Sequence, residues 1–445
     1  MRNILKLTTL ISLMLLLLAG CSKEKDDITE PIDERLVGTN SCVGCHTNYE
    51  ALKILADPET PPEDGGGCGG ATPYFPPYDR VYMGGSGAQN FLNSSHGKKG
   101  CVYCHSGVDN IIDKNKAHSN NFISNPSGVE NNKCQVCHSS IYRRFQNSLH
   151  AEGWGQKKRV SLRAGLTSYD QLTTIAKKEY DKNCGKCHAT CSKCHISRPA
   201  ASGGGLLWGH EIKKTPNIRD NCTACHVSRG GHAYFGEGIG TVPDVHLTKL
   251  GNGHCINCHT KNELHGNGVK YEQRYQMALL PKCENCHTGL ATSNQYHSKH
   301  LNDLSCSVCH SQNYNNCGSC HVGTGARIPA YVGYKIGMNP IPQIKKYKYA
   351  VLRQAPGAPD AFENWGIPNL TNFDIEPTYK YATPHSNIKW TSRTRVEAGK
   401  ACYDNCHIID GRNKGIYLFR SDLRDWEINA NNSVVVDGKL PAGWN

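Results

Sequence analysis

Ten copies of the word Cys-x-x-Cys-His each place two thiols and an imidazole within five residues, and all ten lie between residues 42 and 321. Two thiols at this spacing can bond to the two vinyl groups of one porphyrin, and the histidine can ligate its iron. The word therefore predicts covalently attached haem of the c type. The copies are Cys42/Cys45/His46, Cys101/Cys104/His105, Cys134/Cys137/His138, Cys184/Cys187/His188, Cys191/Cys194/His195, Cys222/Cys225/His226, Cys255/Cys258/His259, Cys283/Cys286/His287, Cys306/Cys309/His310 and Cys317/Cys320/His321.

An eleventh copy of the word is stretched by one residue. Cys402 and Cys406 have three residues between them, and His407 follows the second cysteine directly. Some c-type cytochromes carry such an extra residue, so we expect a haem here as well. The alternative is a local disulfide, or two free thiols, beside an ordinary histidine. The sequence thus predicts eleven haem c groups, ten of them from the regular word.

A set of zinc sites is the competing interpretation of the array. Zinc ribbons and thioredoxin-like redox sites share the Cys-x-x-Cys spacing. Zinc chemistry does not require a histidine after every second cysteine, whereas every copy here has one. The repeated histidine therefore favours haem.

The remaining histidines match the motif histidines in number. Of the 22 histidines, eleven belong to motifs and eleven do not. If two histidines bind every iron, each of the others is a distal ligand, and such haems have lower potentials than methionine–histidine haems. The alternative is that some are surface histidines and one or more irons lack a second protein ligand. The candidate distal ligands are His96, His118, His150, His210, His232, His246, His254, His265, His297, His300 and His385.

The elements that position these residues must be small. The 280 residues from Cys42 to His321 carry ten motifs, or 28 residues per haem, which is too few for a separate core around each. Hydrophobic residues are 38% of the chain, with only 8 Phe and 6 Trp, so porphyrins must supply much of the apolar core. We predict a mostly irregular fold with short α-helices wrapped around a closely stacked haem array, and little β-structure.

A few segments have local patterns of their own. Apolar periodicity predicts helices at residues 141–149, 169–182 and 271–280, each next to a motif, and one near residues 418–429 in the tail. Residues 347–352 have the composition of a short strand.

The first residues predict export. Arg2 and Lys6 precede an apolar run at residues 10–18, which is typical of a signal peptide over residues 1–20. The run ends in Leu-Ala-Gly-Cys, which resembles a bacterial lipobox and predicts a lipidated Cys21. Ordinary cleavage with an unmodified cysteine is the alternative. We expect an exported outer-membrane lipoprotein that faces the periplasm or the cell surface.

The chain divides into five predicted parts. Residues 1–20 are the signal peptide and 21–41 a flexible acidic tether. Residues 42–321 form the ten-haem domain, with a Gly- and Pro-rich loop at 57–80 that contains Cys68. Residues 322–401 form a haem-free arm, and 402–445 form a C-terminal segment with the eleventh motif. Cys68 is expected to be a free thiol; a ligand or an intermolecular disulfide is the alternative.

The formal charge of +12 does not predict nucleic-acid binding. Haem propionates need positive counter-charges, and Lys345, Lys346 and Lys348 make only a short basic cluster. We therefore expect no nucleic acid among the partners.

The motifs look like those of the multihaem c-type cytochromes of bacterial respiration, and the lipobox resembles that of their outer-membrane and extracellular members. The resemblance implies an electron conduit, in anaerobic or extracellular respiration, whose donor and acceptor are other redox proteins. We expect a non-catalytic carrier and assign no catalytic residue.

Two other functions remain open. One is an oxidoreductase that reduces a nitrogen or sulfur oxyanion at one haem with an open iron. Some nitrite reductases replace the motif histidine by lysine, and no motif here does so. The other is a homo-oligomer or a polymerised filament, in which a neighbouring subunit could supply a haem ligand.

Overall fold

The structure, a computed structural model, describes residues 38–61, 73–238, 240–313, 316–317, 331–355 and 357–444. The predicted signal peptide, Cys21, Cys68, Cys320 and His321 lie outside the described residues. Within these ranges, no helix combines the length and the hydropathy that crossing a membrane requires.

Short helices joined by irregular segments make up most of the described chain, which confirms the predicted fold class. The α-helices are Cys42–Thr47, Tyr49–Leu55, Pro77–Val81, Gly85–Asn93, Cys101–His105, Lys114–Ala117, Ser139–Phe145, Leu149–Glu152, Trp154–Arg163, Thr174–Asn183, Cys191–His195, Thr223–Cys225, His232–Phe235, Val245–Lys249, Lys261–Leu264, Leu290–Ser293, Gln295–His300, Cys306–His310 and Ile428–Asn431.

Single turns of tighter or wider helix separate them. The 3-10 turns are Gly97–Lys99, Cys134–Val136, Tyr169–Gln171, Gly185–Cys187, Ala200–Ser202, Trp208–His210, Cys255–Asn257, Arg274–Gln276, Cys283–Asn285, Glu363–Trp365, Phe373–Ile375, Cys402–Asn405, Lys414–Ile416, Arg420–Asp422 and Asp425–Glu427. The π turns are Ile218–Cys222 and Val227–Gly231.

The motif backbone makes its own turn. In a regular motif, the backbone N–H of His138 donates to the carbonyl of Cys134 at 2.9 Å. In the stretched motif, the N–H of His407 donates instead to the carbonyl of Tyr403 at 2.8 Å. In the stretched motif the first cysteine therefore lies one residue before the hydrogen-bonded turn, and the histidine still follows the second cysteine directly.

The strands form two small antiparallel sheets. Strands β1 (Asn316–Cys317) and β2 (Tyr331–Val332) pair with each other. Strands β3 (Lys335–Met338), β4 (Tyr349–Gln354) and β5 (Tyr379–Tyr381) form a sheet in the order β3-β4-β5.

The three-stranded sheet packs against the C-terminal segment. On one face, Val351 shares a buried cluster with Tyr417 and Val436. On the other face, Leu352 shares a second cluster with Leu418. The predicted arm and the predicted C-terminal segment therefore share one core, which explains why the eleventh motif is held beside the rest of the array.

Three local predictions are confirmed, with shifted boundaries. Helices Ser139–Phe145 and Thr174–Asn183 overlap the first two predicted helices, and β4 overlaps the predicted strand from Tyr349 onward. The predicted helix at residues 271–280 is wrong. The side chain of Gln276 accepts the backbone N–H of Gln273 at 3.0 Å and closes a single turn there.

The predicted tail helix at residues 418–429 is also wrong. Residues 420–427 form two separate single turns, and the α-helix begins only at Ile428. Asp422 and Glu427 each accept a backbone N–H three residues earlier, so side-chain capping interrupts the helix.

Glu427 is the centre of a buried polar network beside the sheet. Its carboxylate accepts hydrogen bonds from Gln354 Nε2 at 2.9 Å and Thr378 Oγ1 at 2.6 Å, and the residue is 1% exposed. Asn431 Nδ2 donates to the Thr378 hydroxyl at 2.7 Å. The network joins β4 to the tail helix.

The variant Glu427→Gln should lower the Tm, because the amide replaces an accepting oxygen by a donor that faces other donors. A buried group left without its partner costs about 1–3 kcal/mol. Thermal melting followed by circular dichroism measures the change. Glu130→Gln, at an exposed position, is the control and should leave the Tm unchanged. Equal shifts in the two variants would contradict this role of Glu427.

Candidate haem-binding site

A single cavity of about 5290 Å³ runs through the described chain, and at least two residues of every fully described motif line it. Pockets for one small molecule usually measure about 300–1,000 Å³. The cavity is therefore large enough for several porphyrins in one continuous space.

Histidine pairs cross this cavity at one repeated separation. Two imidazoles on opposite faces of one metal ion, each with a nitrogen–metal bond of about 2.0 Å, hold their ring centres about 6.2 Å apart. Nine pairs have ring centres 6.1–6.5 Å apart. They are His46–His118, His138–His96, His105–His210, His226–His150, His195–His265, His287–His246, His259–His385, His310–His297 and His407–His300.

Every one of these nine pairs joins one motif histidine to one histidine outside the motifs. The sequence separation ranges from 13 residues, for His297 and His310, to 126 residues, for His259 and His385. Distant segments therefore meet at a spacing that accommodates one iron between two rings. The residues present fit two-histidine haem at nine motifs.

Hydrogen bonds at Nδ1 orient the imidazole rings of the paired histidines. Nδ1 of His105 donates to the carbonyl of Ile123 at 2.9 Å, and Nδ1 of His265 to that of Lys261 at 2.9 Å. A proton on Nδ1 leaves Nε2 unprotonated and free to bind metal. Similar Nδ1 contacts with a backbone carbonyl occur at His46, His195, His300, His310, His385 and His407.

Two of the paired histidines donate to a carboxylate instead. His259 Nδ1 lies 2.8 Å from Glu263 Oε1, and His246 Nδ1 lies 2.8 Å from Asp244 Oδ1. The two hydrogen bonds raise the pKa values of His259 and His246. A carboxylate partner makes an imidazole a stronger electron donor to its metal. These positions should hold the iron with the greatest preference for the ferric state.

Glu263→Gln should therefore raise the midpoint potential of one haem. A neutral amide polarises the His259 ring less, and a tenfold change in the one-electron equilibrium corresponds to about 59 mV, so we expect a rise of some tens of millivolts. Spectroelectrochemical titration measures it. Glu130→Gln is again the control, and an unchanged titration of Glu263→Gln would contradict the assignment.

Motif thiols from different haem sites lie close to each other. Five pairs of thiols are direct neighbours: Cys42 with Cys101, Cys134 with Cys191, Cys187 with Cys225, Cys222 with Cys255, and Cys283 with Cys306. Four further pairs interact electrostatically: Cys104 with Cys137, Cys194 with Cys222, Cys258 with Cys286, and Cys309 with Cys406. Porphyrins bonded to these sulfurs would therefore lie close to one another.

In the described part of the chain, no group of three or more His, Cys, Asp or Glu side chains is arranged to hold a metal ion directly, as a zinc site would be. Cys402 and Cys406 form no disulfide with each other.

Two candidate distal histidines remain outside the nine pairs. His254 Nε2 donates to the carbonyl of Pro216 at 2.8 Å, and its Nδ1 accepts the backbone N–H of Ile256 at 3.3 Å. Both ring nitrogens are thus used in hydrogen bonds. His232 is half-buried and directly follows the turn Val227–Gly231, which packs against β1, where Cys317 lies.

His188 is the described motif histidine that no second histidine ring faces. The hydroxyl of Tyr180 lies 3.3 Å from its Nε2. Burial lowers the pKa of His188, and the charges of Lys157 and Lys193 lower it further. His321 lies outside the described residues.

Sequence reasoning missed the carboxylates and Tyr180. Glu263 follows His259 by four residues, and Asp244 precedes His246 by two. His259 lies just before the helix Lys261–Leu264, whose N-cap is Thr260, so a search for i, i+4 pairs would have found the first contact although the histidine is outside the helix. Tyr180 has no such signal, because its place depends on how helix Thr174–Asn183 packs.

Part of this chain matches a known protein family. The family model "Cytochrome c554 and c-prime" matches residues 133–227, which include four complete motifs. The octaheme cytochrome c from Shewanella oneidensis is similar in structure, with a TM-score of 0.29 and 18% identity. The match spans 47% of this chain and 61% of that one. No curated protein sequence matches this chain.

Proposed function

We propose that this chain, which is a multihaem c-type cytochrome, is an electron conduit of closely spaced haems, each closed by two histidines. The observation that carries the proposal is the set of nine motif–non-motif histidine pairs with ring centres 6.1–6.5 Å apart. An iron with two protein ligands has no position for a substrate, yet it can still change oxidation state. Low potentials follow from two-histidine ligation.

The thiol contacts order the haems into a path. From Cys42 the contacts lead through Cys101, Cys134, Cys191, Cys222, Cys255, Cys283 and Cys306 to Cys406. Electron transfer falls steeply with distance, so near-contact porphyrins exchange electrons without a moving part. Electrons would enter at one end of this path and leave at the other.

The ends of the path suggest where partners dock. The haem at Cys42 lies nearest in sequence to Cys21, the proposed site of lipidation, and would exchange electrons at the membrane. The haem at Cys402 and Cys406 lies at the other end, beside an exposed Tyr403. The donor and acceptor are other redox proteins, and the proposed location is the outer membrane in anaerobic or extracellular respiration.

The proposal is tested by the intact mass and the electron paramagnetic resonance spectrum of the mature protein. We expect a mass for eleven haems, with a lipid on Cys21, and a ferric spectrum dominated by low-spin iron. A mass for fewer than ten haems, or a spectrum dominated by high-spin iron, would contradict the conduit. An unlipidated mass would contradict the location alone.

A further inference from the structure

Two positive charges face each other in the three-stranded sheet. Arg353 on β4 and Lys380 on β5 are directly opposite in the antiparallel register. Opposite residues point to the same face of a sheet, and like charges at such positions destabilise it. Each of the two residues is half-buried, while its neighbours along the strand are buried. A negative charge on this face would therefore stabilise the pair.

This face of the sheet opens into the haem cavity. Burial lowers the pKa of Lys380 to about 8, although 28% of its side chain is exposed. Arg353 and Lys380 both line the cavity. The exposed part of Lys380 thus lies inside the protein, where a bound group can reach it.

One carboxylate accompanies these cations. Glu376 Oε2 lies 2.6 Å from Lys380 Nζ, and both side chains line the cavity. Behind them, Nη2 of the buried Arg163 donates to the Glu376 carbonyl at 3.1 Å, and the Arg163 guanidinium lies over the Phe373 ring. Arg163 therefore belongs to the protein interior, whereas Glu376 and Lys380 belong to the cavity wall.

A third cation comes from a distant segment of the chain. Arg159 Nη2 donates to the carbonyl of Ala355, one residue after β4, at 3.1 Å. Arg159 lines the same cavity, and its charge lowers the pKa of Lys380 further. Arg159, Arg353 and Lys380 carry three positive charges and Glu376 carries one negative charge, so this group has a net charge of +2.

The segments that carry the cluster also carry two distal ligands. Helix Trp154–Arg163 follows His150, the partner of His226, and β5 precedes His385, the partner of His259. The rings of His385 and His259 lie close enough to His226 to affect its pKa. The two pairs are therefore neighbours, and they belong to the sixth and seventh motifs of the chain.

We propose that Arg159, Arg353 and Lys380 bind the propionates of one of these two haems and raise its midpoint potential. The inference rests on the proposed haem loading. The two propionates of a haem carry a charge of about −2 when ionised, which matches the charge of the cluster. A guanidinium donates two parallel hydrogen bonds to a carboxylate. Positive charge near the iron favours the ferrous state, so the haem-free arm would set the potential of a haem in mid-path.

Lys380→Met should lower the midpoint potential of one haem, because it removes a positive charge of the cluster. We expect the one-electron reduction equilibrium to change about three- to tenfold, which corresponds to about 30–60 mV. Spectroelectrochemical titration of the holoprotein at pH 6, below the pKa of Lys380, measures the shift. Lys380→Arg keeps the charge and should keep the parent potential. Unchanged potentials in Lys380→Met would overturn the inference.

Glu376→Gln is the substitution of opposite sign, since it removes the negative charge of the cluster. It should raise the potential that Lys380→Met lowers. A structural disturbance alone has no reason to produce opposite shifts, so shifts of the same sign in the two variants would overturn the inference. If Lys380→Met does not fold, Arg353→Met takes its place, with the same expected fall.

Lys335→Met is the matched control. Lys335 lies on β3 of the same sheet and pairs with Asp422 at 3.7 Å, outside the lining of the cavity. Its loss should leave every potential unchanged. A fall equal to that of Lys380→Met would count against a site at Arg353 and Lys380.

Haem propionates and a free anion share the same chemistry, and the buffer separates the two sources. The shift in Lys380→Met should be the same with and without added inorganic phosphate. A shift that needs added phosphate would assign the cluster to a free anion and overturn the inference. A full haem mass with unchanged potentials overturns this inference alone, whereas a mass that lacks several haems overturns the conduit.

Discussion

The double variant Cys222→Ser/Cys225→Ser should lose one haem and nearly all long-range conduction. Cys222 lies in contact with Cys255 and beside Cys194, so its haem connects the N-terminal half of the path to the C-terminal half. Removing it leaves a gap one porphyrin wide, and tunnelling across that gap is slower by orders of magnitude. The current through a monolayer tethered at its N-terminal end measures the loss.

An exposed substitution supplies the control for this experiment. Glu130→Gln leaves every motif intact, so its mass should show the full haem complement and its current should equal that of the parent protein. If the Cys222/Cys225 variant loses one haem by mass and keeps the parent current, the order of haems proposed here is wrong.

Haem attachment could be predicted from the sequence because each motif is a short run of contiguous residues. A motif such as Cys134/Cys137/His138 contains both thiols and one iron ligand, and its turn is closed by a hydrogen bond within the motif. Local information is also sufficient for helix Ser139–Phe145, where the apolar period continues directly from the motif. These features need no knowledge of the rest of the fold.

The distal ligands could be counted but not assigned. The count of eleven included His254, whose sequence position beside Cys255 gives no sign of its contact with Pro216. The pairing of His259 with His385 depends on the arm folding back over the haem array. Such a contact between distant segments is set by packing of the whole chain, which composition and periodicity do not determine.

The C-terminal core is a second feature that local patterns did not reveal. The apolar run Val434, Val435 and Val436 indicates a buried segment. The sequence does not show, however, which other segment of the chain it packs against. In the structure it packs against β3 and β4, with the Met338 N–H donating to the Val434 carbonyl at 2.8 Å. The division into an arm and a separate tail remains a prediction about domains, although the two share this core.

A distal histidine decides whether an iron only conducts or also binds a ligand. Nine motifs have a second histidine ring at the spacing of one iron, which suits conduction. Removing the distal histidine from one of these pairs should leave an iron with one open position.

His265→Ala should turn the haem of His195 into such an open site. The two rings are 6.1 Å apart and tilted by only 13°, so the alanine removes the sixth ligand without disturbing the motif. We expect one additional high-spin haem in the ferric spectrum. Axial ligation spans about 0.8 V of haem potential, so the midpoint potential of this haem should rise by an amount on the order of 0.1 V.

His254→Ala is the matched control, since it removes a histidine that the same count had included among the ligands. Its two nitrogens bond to Pro216 and Ile256, so the variant should keep the low-spin spectrum and the potentials of the parent protein, with a loss of stability at most. A new high-spin haem in His254→Ala, or none in His265→Ala, would show that the ring pairs do not mark the ligands. If His265→Ala gives a new high-spin haem and His254→Ala does not, the position of the imidazole ring, and not the loss of a histidine as such, decides which histidine is a ligand.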